Sequence, residues 1–429
     1  MSRLISAIVT IIILTILFLT YLGIETDKFD VLIKNKANEV NKYVKLDFKR
    51  TKIYLNPLEL NLAVRLKNPK ILVKKNEIDL SKLDLYLPLR SFVTSDFMLE
   101  KAQIAFVKND IKDLTKVTNI FLPKIINNQL NKIFHEGNLE GEFNIPFKKD
   151  GSVDDNYGFN GKVSNASLNL NREFSIQNLT MEIRNIKSNE KKGFEIKINN
   201  GLVDGINLAN SIINMTKEKE GLKVKSLMTT KGQINFSLIK KVQNIFSLNL
   251  NYLKDIKATV DFKTNIIFDI DKIFRTKNLT YNIEGDLVYL NFKTKKSSII
   301  KNFLPYYDPE FIFKDSKIKI SNSKSKVYSE LFGLIKTNNK FSEFKIKNSY
   351  NYKDKSFDIN CFLDLTNSKI RISKLNYKKD YNENSEVNFN IKFSPSKYYN
   401  INNLNFLHKN TFINLSNIKL NKNFEINDL

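Results

Sequence analysis

The feature that most constrains this chain is a two-residue alternation of apolar and polar side chains that runs through most of its length. This period places every second side chain on the same face of a β-strand, so it predicts sheets with one apolar and one polar face. Clear examples are Leu58–Leu66, Leu83–Leu89 and Phe357–Leu365. Short polar breaks such as Asn68-Pro69 and Lys74–Asn76 separate these segments and are typical of hairpin turns. The pattern predicts a mainly β protein.

The alternation continues to the last residues without a linker, which indicates one elongated antiparallel meander. Every strand of such a meander brings an apolar face that has to be covered, and a closed barrel, a sandwich or a long curled sheet would each do so. Only 13 Gly and 8 Pro occur in 429 residues, whereas sandwiches use corners rich in both. We therefore expect an elongated, curled antiparallel β-sheet groove, a repeating β-taco-like trough. Its apolar face is filled either by side chains or by a ligand.

A few segments instead repeat apolar side chains every three or four residues, which predicts amphipathic helices. Near the N-terminus these are Asp27–Tyr43 and Lys116–Phe134, and shorter ones are expected at Leu238–Tyr252 and Ser297–Leu304.

The run Leu4–Leu22 is almost entirely apolar and predicts a single N-terminal transmembrane helix, since about 20 such residues span a hydrocarbon core. A cleaved signal peptide is the alternative, but no small-residue cleavage site follows the run. Arg3 precedes it and acidic residues follow it, which indicates a cytoplasmic N-terminus. The residues expected to form this membrane anchor are Leu4, Ile8, Ile12, Leu14, Phe18 and Leu22.

The charge balance is basic, with 69 Lys and Arg against 45 Asp and Glu, a formal net charge of +24. Lysine is spread along nearly every segment and Asn exceeds one residue in eight, a composition typical of an AT-rich genome. A nucleic-acid surface gathers its cations on one element, so no nucleic-acid partner is predicted. A basic exterior would still be attracted to anionic lipid head groups.

The residues that catalysis and metal binding need are nearly absent. The chain has 2 His and 1 Cys, and it has no nucleophile elbow, phosphate loop or dinucleotide turn. His135 and His408 lie far apart in polar settings and are expected to be surface or turn residues. We predict neither an enzyme nor a metal or cofactor site.

The order of elements in the first hundred residues resembles the AsmA-like family. An anchor, a short helix and a strand pair are followed by Leu62–Pro69, similar to that family's apolar alternation ending in Asn-Pro, and Ile78–Phe92 and Met98–Ile104 resemble its next strands. Further on, Phe159–Leu168 and Ile176–Leu179 are similar to strand pairs of the larger YhdP- and TamB-type members. The small residue common between the first helix and first strand is replaced by Tyr43-Val44-Lys45.

The resemblance implies a protein of the Gram-negative cell envelope that takes part in phospholipid transport between the inner and outer membranes and in outer-membrane homeostasis. It would be a single-pass inner-membrane protein with its bulk in the periplasm and phospholipid acyl chains in its groove. An outer-membrane or periplasmic protein would meet its C-terminal edge. The alternative is an anchored structural or assembly factor that binds envelope proteins by β-strand addition.

The expected organisation is an anchor over residues 1–24, an AsmA-like region of helices and strands over 25–135, and a sheet groove over 136–429. The chain stops within an alternating stretch, so we expect a truncated member of a longer family or an edge that a partner completes. The alternating residues expected to line the groove are Leu58, Leu60, Leu62, Val64, Leu83, Leu85, Phe143, Ile145, Phe357, Ile359, Leu363, Phe389 and Ile391.

Overall fold

A computed structural model of the protein describes most of the chain. The described residues are 2–40, 44–73, 76–89, 98–118, 132–154, 156–170, 172–187, 192–246, 253–273, 275–295, 308–337, 340–372, 376–394, 398–421 and 426–428. They form two compact units, Met1–Gly201 and Leu202–Leu429. The boundary expected after residue 135 falls inside the first unit, where a strand begins.

Four helices occur among the described residues: α1 Ser2–Tyr21, α2 Asp30–Val40, α3 Ile111–Thr118 and α4 Phe236–Phe246. The helix predicted at Asp27–Tyr43 is confirmed over Asp30–Val40 as α2, whereas residues 27–29 form a turn and residues 41–43 lie outside the described part. Of the helix predicted at Lys116–Phe134, residues 116–118 end α3, Phe134 is already strand, and residues 119–131 lie outside the described part. The helix predicted from Leu238 is confirmed as α4 up to Phe246, and that at Ser297–Leu304 lies outside the described residues.

Helix α1 covers most of the apolar run at the N-terminus. Within it the described side chains of Ile12, Leu14 and Phe18 are exposed, as is Leu22 directly after it, whereas the side chains at positions 4 and 8 lie outside the description. Over the residues that can be described, no helix combines the length and the apolar character that a membrane span needs.

The first unit is an antiparallel sheet whose strands are short at first and then lengthen. The strands are β1 Ile24–Thr26, β2 Val44–Asp47, β3 Arg50–Asn56, β4 Asn61–Lys67, β5 Lys70–Val73, β6 Asn76–Pro88, β7 Lys101–Asp110, β8 Phe134–Pro146, β9 Gly158–Asn169, β10 Ser175–Lys187 and β11 Lys192–Val203, which ends just past the boundary.

Pairing in this unit runs β1-β3-β4-β6-β7-β8-β9-β10. One edge of β6 is shared, because Asn76–Asp79 pair with β5 while Asp84–Pro88 pair with β4. Strand β2 pairs in turn with β5. The sheet therefore forks at β6, and the fork is where its core forms.

Helix α2 closes this fork. Ile33 of α2 is buried with Val64, Leu83 and Phe106 in one apolar cluster, and Phe29 packs against the same cluster. Because α2 repeats apolar residues at helical spacing while the strands repeat them every second residue, both stripes face each other across the core. The first unit thus contains a core filled by its own side chains.

The second unit is a long antiparallel meander. Its strands are β12 Ile206–Asn207, β13 Ser211–Glu218, β14 Gly221–Asn235, β15 Leu253–Asp271, β16 Thr276–Thr294, β17 Glu310–Asn322, β18 Lys326–Thr337, β19 Lys340–Asn351, β20 Ser356–Asp364, β21 Ile370–Ile372, β22 Tyr377–Lys379, β23 Ser385–Ser394, β24 Tyr398–His408, β25 Thr411–Leu420 and β26 Ile426–Asp428.

Ten of these strands pair in series from β14 to β25, while β21 and β22 form a separate small hairpin. At about 4.8 Å between neighbours, the ten strands extend over about 43 Å. Chain order and spatial order coincide along this series, with α4 inserted between β14 and β15 and the β21–β22 hairpin inserted between β20 and β23. The expectation of a mainly β fold with a large curled antiparallel sheet is confirmed.

Candidate functional site

The second unit carries an apolar face that extends over several strands. Directly opposite residues in antiparallel strands share a face, and so do residues two apart along one strand. The register pairs Phe357 with Phe393, Ile359 with Ile391, and Leu363 with Val387. The face continues on both sides of these strands through further opposed residues, namely Phe344, Ile346 and Tyr350 in β19, Tyr399, Ile401, Leu404 and Phe406 in β24, and Ile413, Leu415, Ile418 and Leu420 in β25. We call this surface the apolar face.

The predicted groove-lining residues of the second unit all lie on this face. Phe357, Ile359, Leu363, Phe389 and Ile391 are neither fully buried nor fully exposed. Among the described elements, strands β17–β20 and β23–β25 make their substantial contacts with neighbouring strands of the same sheet, and the substantial contacts of α4 are with β14 and β15. The β21–β22 hairpin packs on the face at Phe406, whose ring meets that of Tyr377 edge to face with the centroids 5.8 Å apart. The rest of the apolar face is half-buried by its own curvature and neighbours, and no described element makes extensive contacts across it.

One side of the apolar face is an aromatic row. The ring centroids of Tyr350 and Phe357 are 4.7 Å apart, those of Phe357 and Phe393 are 5.0 Å apart, and those of Phe393 and Tyr399 are 5.6 Å apart. The four rings cross four consecutive strands in register. Such contacts stabilise strand pairing by roughly 0.5–1.5 kcal/mol each beyond the area that they bury.

A polar pair interrupts the face between β18 and β19. Ser329 lies opposite Asn348, whose Nδ2 donates to Ser329 Oγ at 3.3 Å. The Oδ1 atom of Asn348 is buried without a hydrogen-bond partner. A buried acceptor of this kind costs about 1–3 kcal/mol, so this pair is a weak point in an otherwise apolar surface.

Cys361, the single cysteine, lies in the middle of the apolar face. It is opposite Ile346 of β19 on one side and Phe389 of β23 on the other. Burial among these apolar neighbours raises the pKa of the thiol to about 11, because the thiolate loses hydration there. The thiol is a native probe of the surface, and its raised pKa argues against a reactive role.

In the first unit, the corresponding predicted residues lie on one face but mostly within the packed core. Leu62 lies opposite Leu87, and Val64 lies opposite Leu85. Val64 is 2% exposed and Leu83 is buried beside it, so neither lines an open surface. These residues line a core that α2 already covers.

The aromatic end of that face is more open. Phe143 and Ile145 lie opposite Ile104 and Ala102 of β7. The Phe143 ring is 4.6 Å from that of Phe159 and remains partly exposed. This end extends the same face beyond the part that α2 covers.

Two predicted lining residues are not on the sheet face. The strand predicted to begin at Leu58 begins at Asn61, and residues 57–60 form the turn between β3 and β4. Leu58 is 94% exposed and Leu60 has a φ of 49°. The prediction for Leu58 and Leu60 is wrong because a four-residue turn keeps the two-residue pattern in phase from one strand to the next.

The opposite face of the second unit is polar. Glu330 forms ion pairs with Lys345 at 3.0 Å and Lys347 at 3.8 Å, and these lower the pKa of Glu330. Asn390 donates to the carboxylate of Asp358 and to the amide oxygen of Asn360. A depression beside Glu330 and Lys347 is lined by such groups, so it suits water or ions and not an apolar ligand.

A buried polar cluster lies where β24 ends. Tyr377 Oη is 2.6 Å from His408 Nδ1, and His408 Nε2 is 3.1 Å from Glu383 Oε2. Lys409 and the backbone N–H of Asp380 also donate to Glu383, and these hydrogen bonds lower its pKa to about 2. His408 is 7% exposed, so the expectation that it is a surface or turn residue is wrong. His135 is exposed, as expected.

This cluster fixes a loop. Next to it Lys379 is fully buried, and its Nζ donates to the backbone carbonyls of Thr366, Ser368 and Asp380. The donors and acceptors are thus satisfied within the loop and by β24. No sequence signal marks the cluster, because its members come from separate segments whose meeting depends on the fold.

Among the described residues, no group of three or more His, Cys, Asp or Glu side chains could hold a metal ion. Comparison of the chain with protein-family models, with curated proteins and with solved structures finds no match. The apolar face is therefore interpreted from its own geometry.

Proposed function

We propose that the apolar face of the second unit binds the acyl chains of phospholipids. The observation that carries this proposal is the register-aligned, half-buried apolar surface, across which, apart from the β21–β22 hairpin at Phe406, no described element makes extensive contacts. A sheet side with this composition is unstable against water, and an occupant of the same polarity would remove that cost. Each methylene buried there is worth about 0.8 kcal/mol.

An acyl chain fits this surface better than a compact ligand does. The apolar residues continue from strand to strand without a closed cavity, so they offer a path and not a pocket. A flexible chain can follow such a path while its head group stays in water. The charged residues of the opposite face, and the net charge of +24, would favour anionic head groups nearby.

The proposal includes the cellular role that the AsmA-like resemblance implies. In that role α1 is the inner-membrane anchor, the N-terminus is cytoplasmic and the sheet lies in the periplasm. The protein then takes part in phospholipid transport between the two membranes. It requires no catalysis, because lipid exchange along an apolar surface breaks no covalent bond.

Photocrosslinking of adjacent residues on opposite faces tests acyl-chain binding. A benzophenone amino acid replaces Leu363 on the apolar face or Phe362 on the polar face, in protein purified from cells with labelled lipid. Both positions are half-buried and apolar, so only the face differs. Crosslinking to lipid at 363 and not at 362 is expected. Equal crosslinking at both positions, or none at 363, would contradict the proposal.

The second candidate function is assembly of envelope proteins by strand addition. The observation that favours it is the outer edge of β25, where among the described residues only Lys419 and Leu420 have a partner, in β26. Unpaired strand edges bind extended peptides through backbone hydrogen bonds. Asn414 lies on the exposed polar face, and the alternation of hydrogen-bonded pairs along β24–β25 directs its N–H to the outer edge. Replacing Asn414 by Pro would abolish capture of a partner at this edge and leave lipid crosslinking at 363 unchanged. The opposite pattern would exclude this function.

A further inference from the structure

Exposed apolar side chains gather at one end of the sheet in the first unit. Leu58 and Leu60 stand in the β3–β4 turn, and Leu60 accepts a backbone hydrogen bond from Leu89, which is also exposed. The β8–β9 connection adds exposed Val153 and Tyr157. The register places all five at the same end, because Asn61 lies opposite Pro88, Tyr86 opposite Lys101, and Lys101 opposite Pro146. We call these five residues the apolar rim.

The opposite end of the same sheet differs in character. Among the described residues, the strand ends and connections there include Lys49, Asn68, Lys108 and Glu136, all exposed. The exposed large apolar residues described there are Val107 in β7 and Leu170 in the β9–β10 turn, which lie on different strands. Single exposed apolar side chains are common on protein surfaces, whereas a cluster of them marks an interaction site. The cluster at the rim end, and not at the other end, therefore needs an explanation.

Helix α1 joins the sheet at the rim end. The helix closes with hydrogen bonds from the N–H groups of Leu22 and Gly23 to Phe18 O, and β1 begins one residue after Gly23. Ile24 of β1 then pairs with Ile53 of β3. Because β1 runs away from the rim, α1 reaches the sheet from the rim side, and it contacts β3.

The depth of the rim along α1 follows from the register. Pro57 lies four residues beyond Ile53, which is about 14 Å along an extended strand. A helix that continues in the direction of β3 covers that distance with about nine residues at 1.5 Å each. On that geometry Leu58 is level with the C-terminal third of α1, where Ile16, Leu17, Phe18 and Tyr21 are exposed and Leu19 is half-buried.

Behind the rim lies a row suited to a membrane interface. Tyr54, Ala63, Tyr86 and Lys101 lie opposite one another across four strands. The Lys101 ammonium lies 4.4 Å from the centre of the Tyr86 ring and 3.5 Å from a Glu59 carboxylate oxygen. Tyrosine and lysine are the side chains that collect at lipid head groups.

We infer that the apolar rim inserts into the surface of a lipid bilayer next to α1, with Leu58 and Leu60 among the acyl chains and the Tyr54–Lys101 row at the head groups. The leucines lie at the tip of the rim, the tyrosines and the lysine lie further into the sheet, and the end of α1 lies beside them. This is the order of side chains that a bilayer interface requires. The inference does not depend on acyl-chain binding by the second unit.

Depth measurement with spin labels tests the insertion. The full chain with Cys361→Ser is reconstituted into vesicles of phosphatidylethanolamine and phosphatidylglycerol, and a nitroxide is attached at Leu58→Cys or at Leu170→Cys. Leu58 and Leu170 are both highly exposed turn leucines, 94% and 56% exposed, at opposite ends of one sheet. Circular dichroism of both variants confirms that they fold.

A label at position 58 is expected to be relaxed by oxygen and to lose its relaxation by a water-soluble nickel complex. A label at position 170 should keep the nickel effect. Equal nickel relaxation at the two positions would overturn the inference. The double variant Leu58→Ser/Leu60→Ser separates the rim from the apolar face. Loss of insertion with lipid crosslinking retained at position 363 is expected and shows that the two surfaces act separately. Loss of lipid crosslinking with insertion retained would count against the proposed function only.

Discussion

The thiol of Cys361 gives the sharpest quantitative prediction about the apolar face. It lies between Ile346 and Phe389, and burial raises its pKa from an ordinary value of 9.0 to about 11. Only the thiolate reacts with alkylating reagents. A two-unit increase in pKa lowers the thiolate fraction at pH 8 by about 100-fold.

Alkylation of Cys361 at pH 8 should therefore be about 100-fold slower than that of an ordinary exposed cysteine. The rate should rise about tenfold per pH unit up to about pH 10, because the thiolate fraction rises in that proportion. An acyl chain on the face would slow the reaction further, and delipidation would reverse that slowing. The assay is time-resolved alkylation with a water-soluble maleimide, followed by intact-mass spectrometry.

The matched control moves the thiol by one residue. Asn360→Cys in a Cys361→Ser background places it on the polar face of the same strand, where Asn360 is exposed. This thiol should react at an ordinary rate and be indifferent to added phospholipid. Equal rates at 360 and 361, or a rate at 361 that levels off near pH 9, would refute the placement of Cys361 in a shielded apolar surface.

Three further predictions concern stability. Replacing Arg65 by Met leaves the fully buried Asp84 carboxylate without its two-bond partner and should reduce the free energy of unfolding in urea by about 3 kcal/mol. Replacing Asn348 by Leu removes a buried acceptor that has no partner and should raise that free energy by about 1 kcal/mol. Glu383 has a folded-state pKa of about 2, below its ordinary value of 4.5. Its contribution to the stability of the folded state is therefore present above pH 4.5 and is lost as the pH falls towards 2. Glu383→Gln should flatten the decline of the melting temperature between pH 4.5 and 2.

Each of these predictions has a control in the same chain. Arg50→Met removes an exposed ion pair with Glu25 and should change stability by less than about 1 kcal/mol. Asn388→Leu, at an exposed site, should not reproduce the gain of Asn348→Leu. A loss for Arg65→Met no larger than for Arg50→Met, a loss of stability in Asn348→Leu, or an unchanged acid slope in Glu383→Gln would contradict the respective argument.

The sequence is sufficient to predict which residues share a face over most of the second unit. The alternation at Phe357–Leu363 and in β23 is a direct consequence of strand geometry, so the apolar side of each strand could be assigned without the structure. The assignment of faces from the alternation fails where a turn continues the two-residue pattern of the adjoining strand, as at Leu58 and Leu60.

The pattern also cannot distinguish a filled face from an open one. Val64 and Leu363 have similar sequence surroundings, yet α2 covers the first and no described element packs on the second. The burial of His408 is equally invisible, since Tyr377 and Glu383 lie 31 and 25 residues away from it in the chain. Both outcomes depend on contacts between distant segments.

Native mass spectrometry of the full chain in detergent tests acyl-chain binding most directly. The wild type is compared with Ile359→Asp/Phe389→Asp, which places two carboxylates on the apolar face, and with Asn360→Asp/Asn388→Asp, which places the same charges one residue away on the exposed polar face. We predict mass additions of whole phospholipids on the wild type and the polar-face variant, and their loss from the apolar-face variant while it remains folded. Absence of phospholipid from the wild type, or equal retention by all three proteins, would contradict the account.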